Sequence, residues 1–178
     1  MVANTVSFPT SDGSEARWPN KLTAPRSRDW PDFFRIDDAD ANKLMPTWVQ
    51  TDRKKVLLNW KRTIGTGVDR ELRKINNSPP RDRNVVCTLK SFPAGYALFA
   101  KKRVRDPGHT DYYLYGSTTS ARCFRSPREF IPHGVWLNLK KVDPSVLCEC
   151  TYCTSARQKP PKNKVPSTRS PDVVPPPF

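Results

Sequence analysis

Three cysteines crowd together as Cys148, Cys150 and Cys153. Thiols at this spacing suit a metal ion better than a disulfide framework, and five cysteines in all is an odd number for pairing. A structural zinc takes four ligands of cysteine or histidine type, so a fourth must come from elsewhere. His133 is the first candidate, ahead of His109 and Cys123; three free or partly buried thiols are the alternative reading. The second chemistry is basic. Lys101-Lys102-Arg103-Val104-Arg105 precedes a short loop, then Asp111-Tyr112-Tyr113, then Arg122, Arg125, Arg128 and Glu129. A guanidinium presents parallel N–H groups that match guanine O6 and N7, giving about 1–3 kcal/mol of discrimination. An acid that fixes its plane reduces the entropy lost on binding.

The whole chain agrees with a polyanionic partner. Its 178 residues carry 31 Lys and Arg against 17 Asp and Glu, a formal charge of +14. That balance favours nucleic acid, although an acidic protein would also fit. Leu, Ile, Val and Phe number only 37, and 19 prolines stand against 7 glycines, so a modest folded part with loose flanks is expected. No apolar run reaches 18 residues and the first dozen residues do not read as a secretory signal, so no membrane partner and an intracellular location are expected. Catalysis is not expected. There are two histidines, no Gly-rich phosphate loop and no nucleophile elbow, which leaves no small-molecule substrate to assign.

Several elements must position these groups. Residues 1–40 read as an extended arm whose Trp18, Trp30, Phe33 and Phe34 could tack it onto a core. Residues 41–84 read as a helical segment. Val49, Val56, Leu57, Trp60 and Ile64 fall at helical spacing from Thr47, with a stop near Gly65 and a second short helix over Val68 to Ile75. Strands are expected over Val85 to Phe92, Tyr96 to Lys102 and Asp111 to Tyr115, the last returning through a turn to Arg122-Cys123-Phe124. Ser126-Pro127-Arg128-Glu129 combines an N-cap serine, proline at the first helical position and an acid three residues after the cap. Pro132 predicts that this helix is short or kinked before Trp136. Residues 155–178, rich in proline and basic residues, read as a disordered tail.

The order of these residues resembles the methyl-CpG-binding domain. Gly95-Tyr96, Arg103, Asp111-Tyr112-Tyr113, Phe124-Arg125-Ser126 and Glu129 follow that domain's succession of aromatic, arginine, Asp-x-Tyr, Phe-Arg-Ser and helical acid, with Tyr96 where tryptophan is usual. The resemblance implies that Arg103 is held by Asp111 and Arg125 by Glu129, each arginine facing a guanine. The flanks narrow it. Phe8-Pro9-Thr10-Ser11-Asp12-Gly13, Trp18-Pro19, Ser126 to His133, Trp136-Leu137 and the cysteine cluster are similar to the fungal transcription-silencing family of cryptic loci regulator 2.

That family implies a nuclear heterochromatin protein, a subunit of a repressor complex joining a nucleosome remodeller to a histone deacetylase. The expected architecture is α+β: a small methyl-CpG-binding-like sheet and helix with the cysteine cluster over residues 85–154, a helical N-terminal extension and a disordered tail. DNA contact is assigned to Lys101, Lys102, Arg103, Arg105, Asp111, Tyr113, Arg122, Arg125, Arg128 and Glu129, and a structural zinc to His133, Cys148, Cys150 and Cys153. The rival reading is a scaffold that docks onto other silencing subunits without touching DNA. A platform of Tyr112, Tyr113 and Tyr115 stacking on single strands ranks behind both.

Overall fold

The computed structural model describes residues 4–19, 33–37, 47–82, 84–103, 105–106, 108–119 and 123–158. The architecture is α+β. Strand β1 (Asn4–Val6) pairs in parallel with β3 (Cys87–Leu89), and β2 (Phe33–Arg35) pairs antiparallel with β4 (Ala97–Lys102), which pairs antiparallel with β5 (Thr110–Tyr115). The return after β5 is an antiparallel bridge between Leu114 and Phe124. The helices are α1 (Thr47–Ile75), α2 (Pro127–Leu139) and α3 (Thr151–Gln158). None is long and apolar enough to cross a membrane. Of the tail expected over 155–178, residues 159–178 lie outside the described residues, whereas Ser155 to Gln158 are helical and complete α3.

One core draws on every part of the described chain. Trp60, Ile64 and Val68 from α1 are buried with Leu89, Leu98, Leu114 and Phe124 from the strands and with Phe130 and Leu137 from α2. The arm contributes Phe8, whose ring meets Phe130 edge-on at 5.9 Å between centroids. Its two short strands carry no sequence signal: three residues are too few to show alternation, and each pairs with a strand far along the chain.

The break expected at Gly65 does not occur. The apolar stripe of α1 runs through the glycines to Val68 and Leu72. Gly65 instead permits close approach: a Cβ there would stand 2.7 Å from the Cys87 carbonyl oxygen and 2.9 Å from the Leu89 nitrogen. Backbone cannot swing aside as a side chain can. Gly65→Ala is therefore expected to destabilise the chain by about 1–3 kcal/mol, the usual cost of overpacking, as read by urea unfolding.

Helix α2 begins as the sequence predicts. The Ser126 side chain accepts from the Glu129 N–H at 3.3 Å, and Pro127 occupies the first turn. The helix is longer than expected. It continues past Pro132 to Leu139, because that exposed ring stands in the second turn and costs one backbone bond while the following turns bury Val135, Trp136 and Leu137.

Candidate nucleic-acid interface and metal centre

Strands β4 and β5 set which side chains share a face. Phe99 lies opposite Tyr113, and Lys101 opposite Asp111, on the side away from buried Leu98 and Leu114. The chain leaves β4 at Arg103, whose N–H donates to the His109 carbonyl oxygen and closes the loop back into β5. This returns Arg103 to Asp111. Its Nε donates to Asp111 Oδ2 at 2.8 Å and its Nη2 to Oδ1 at 2.7 Å, a two-pronged pair with Arg103 half exposed. Hydrogen bonding from Arg103 holds the Asp111 carboxyl below its ordinary pKa, so the pair stays charged. Two of the guanidinium's five N–H groups are spent on Asp111, which leaves its far edge, the edge that matches guanine, available.

Arg125 reaches the same place. An open pocket of about 300 Å³ is lined by Arg103, Asp111, Tyr112, Tyr113 and Arg125. The expected Glu129 clamp on its guanidinium is corrected by the structure. Glu129 Oε2 accepts instead from the Arg125 backbone N–H at 2.8 Å and from the Tyr152 hydroxyl at 2.9 Å. The reason is local: an acid on the first turn of α2 folds back over the residues before the cap, where backbone N–H groups lack partners. Thus the first arginine is braced by a carboxylate, while the second is positioned through its main chain.

The remaining basic residues divide. Lys101 is exposed on the strand face that carries Asp111, and Arg105 and Arg128 are exposed on the loop and on the first turn of α2. Alternation places Lys102 on the strand face shared with Ala100 and Tyr112. Arg122 lies outside the described residues. Tyr113 is half-buried at the pocket. Tyr112 is on the opposite face, and Tyr115 meets Phe99 edge-on at 5.6 Å. The three tyrosines do not make one stacking platform.

The cysteine cluster closes on His133. The ligand atoms of His133, Cys148, Cys150 and Cys153, all buried, lie within 4.8 Å of one another, so the four can hold a metal ion. His133 Nδ1 is 3.3 Å from Cys148 Sγ, 3.7 Å from Cys150 Sγ and 4.0 Å from Cys153 Sγ. Tetrahedral zinc with Zn–S near 2.3 Å and Zn–N near 2.0–2.1 Å would set such edges at about 3.6 Å. The donors fit. Neither alternative histidine nor cysteine joins them: the His109 ring contacts the Asp106 carboxylate in the exposed loop, and Cys123 stands beside Tyr115.

Within the cluster the thiols hold their protons unequally. A hydrogen bond from Cys148 lowers the Cys150 thiol despite burial, and the same bond raises Cys148, so one thiolate forms within a proton-sharing pair. Burial would lower His133, but hydrogen bonds with Asp12 and Cys150 outweigh it and raise the imidazole.

Residues that the sequence reading does not assign to the centre surround it. Tyr96 OH is 3.0 Å and Asp12 Oδ1 3.2 Å from His133 Nε2. The Cys153 thiol donates to Thr119 Oγ1 at 3.3 Å. No spacing signal ties residues 12, 96 and 119 to a cluster near 150; only the fold joins them.

Residues 87–153 match the family described as transcription-silencing protein, cryptic loci regulator Clr2. The solved structure of Clr2 bound to the Clr1 C-terminus is similar at 19% sequence identity and a TM-score of 0.46, over 76% of this chain and 27% of that one. The chain thus spans about a quarter of the length of that protein. No curated protein matches.

Proposed function

We propose that the chain, whose residues 87–153 match the transcription-silencing family of the cryptic loci regulator Clr2, is a nuclear chromatin protein that binds double-stranded DNA and acts by recognition, not catalysis. The supporting observation is Arg103, held in two-pronged contact by Asp111 with Arg125 on the same open pocket. A braced guanidinium offers its free edge to a base without losing further rotamer freedom. Lys101, Arg105 and Arg128 are the proposed phosphate contacts. In this reading the chain works beside other silencing-complex subunits, in a repressor complex that joins a nucleosome remodeller to a histone deacetylase.

The proposal gives the cysteine cluster a structural zinc, held by His133 Nδ1 and the sulfurs of Cys148, Cys150 and Cys153. When bound it would neutralise thiolate charge and cross-link α2, the loop after it and α3.

Duplex titration at a series of salt concentrations tests the DNA reading. If five phosphates are engaged, log affinity should fall against log salt with a slope of about −4.5. A flat dependence, or equal binding to single strands, would remove the duplex reading; protein capture that survives high salt would then favour the scaffold.

A further inference from the structure

His133 is fully buried, and its Nδ1 faces three sulfurs. A ring used as a ligand through Nδ1 carries its proton on Nε2, and that N–H needs an acceptor inside the protein. The carboxylate of Asp12, whose side chain is only 5% exposed, is 3.2 Å away. It comes from the arm, 121 residues earlier in the chain. A buried carboxylate persists only where its oxygens are satisfied. Here Oδ1 also accepts from Tyr96 OH at 2.5 Å and Oδ2 from Ser117 Oγ at 2.8 Å. Ser117 Oγ is 2.6 Å from Thr119 Oγ1, which in turn stands 3.3 Å from Cys153 Sγ. The polar chain leaves the cluster at His133, passes through Asp12 and returns at Cys153.

The arm is fastened around this carboxylate by backbone. Asp12 O accepts from the Thr118 N–H at 3.1 Å and from Thr118 Oγ1 at 2.7 Å, while the Ser14 N–H donates to Gly116 O at 2.8 Å. At Gly95, in the left-handed region with φ of 75°, an added Cβ would stand 2.5 Å from the Gly13 carbonyl carbon. No side chain could be interposed at that point. The arm segment lies flush against the turn that begins β4.

We infer that Asp12 is the positioning residue of the metal centre, orienting the His133 ring, so that metal loading and docking of the N-terminal arm are linked. The inference rests on the metal reading above. Its physical content is reciprocal: a metal on Nδ1 fixes the tautomer that donates to Asp12, and a docked Asp12 presents Nδ1 to the metal.

The test uses the full chain loaded with cobalt(II) or zinc. Asp12→Asn should weaken metal binding by about 10–100-fold in competition with a chromophoric chelator, the usual loss when a ligand's carboxylate partner is removed. Cobalt–thiolate absorption bands should persist at saturation, showing the four ligands intact. Asp12→Glu should restore part of the affinity, and Thr10→Val, which deletes an arm hydrogen bond to Leu137 O without touching His133, should weaken it far less than Asp12→Asn. In the unsubstituted chain, zinc should slow amide exchange at Ser14 and Thr118; in Asp12→Asn it should not. Wild-type affinity in Asp12→Asn, or arm exchange indifferent to zinc in the unsubstituted chain, would overturn the inference. If the variant does not fold, the exchange comparison on the unsubstituted chain decides alone. An unsubstituted chain that develops no cobalt–thiolate bands would mark failure of the metal reading itself, and the linkage would fall with it.

Discussion

Replacing Cys150 by serine is expected to lower the unfolding temperature of the metal-loaded chain by on the order of 10–20 °C, equivalent to about 3–5 kcal/mol. Cys150 is fully buried at the centre of the cluster, where a hydroxyl is a poor zinc ligand. The loss is not confined to one bond. Without metal, His133, Cys148 and Cys153 remain as crowded polar groups in a core that also holds Phe124, Phe130 and Trp136. Helix α3 has eight residues, too few to persist without tertiary anchors, and two of its anchors are Cys153 and the Tyr152 hydroxyl bond to Glu129. Thermal unfolding and metal content by atomic absorption, with and without chelator, provide the check. A chain purified with less than stoichiometric metal, and with an unfolding temperature indifferent to chelator, would return the three cysteines to the status of ordinary buried thiols.

The parts of this fold that are legible in sequence are those governed by neighbours within one or two turns. The start of α2 is readable because cap, proline and acid act over four residues. The core stripe of α1 is readable through Val56, Trp60 and Ile64, and the pattern misleads only at Gly65, where glycine serves a close approach by β3 that no local signal reports. The cysteine cluster is readable from spacing, and His133 as its fourth member from the shortage of other donors. The pairing of Arg103 with Asp111 comes from the resemblance, and the geometry agrees.

Illegible are the relations that depend on long-range packing. Glu129 answers to a backbone N–H and to a tyrosine from α3, and neither is visible as a charge pattern. Asp12 meets His133 only because the arm lies across the turn preceding β4. Tyr96, standing where the resemblance has tryptophan, contributes a hydroxyl to the Asp12–His133 pair. A substitution that looks like a weakening of the pattern therefore has a physical role beside the His133 and cysteine cluster.

The asymmetry between the two arginines leads to the second large effect. Arg103→Ala should reduce affinity for a preferred duplex by roughly 5–150-fold, corresponding to the 1–3 kcal/mol of a bidentate guanine pair. It should reduce affinity for unrelated duplexes much less. Arg103→Lys should not rescue, because an ammonium lacks the paired N–H groups that let one edge meet Asp111 while another meets a base. Asp111→Asn should keep most of the affinity but lose discrimination, since the guanidinium then rotates more freely. Arg125 has its backbone, not its guanidinium, fixed by Glu129, so Arg125→Ala should weaken binding with less effect on sequence preference. Lys101→Ala supplies the contrast: an ammonium that meets only phosphate, once removed, should weaken every duplex alike and reduce the magnitude of the salt slope by about 1. Gel-shift titrations of these variants against a panel of duplexes separate the two behaviours. If Arg103→Ala and Lys101→Ala fall on the same line for every sequence, the pair contributes charge alone and reads no base.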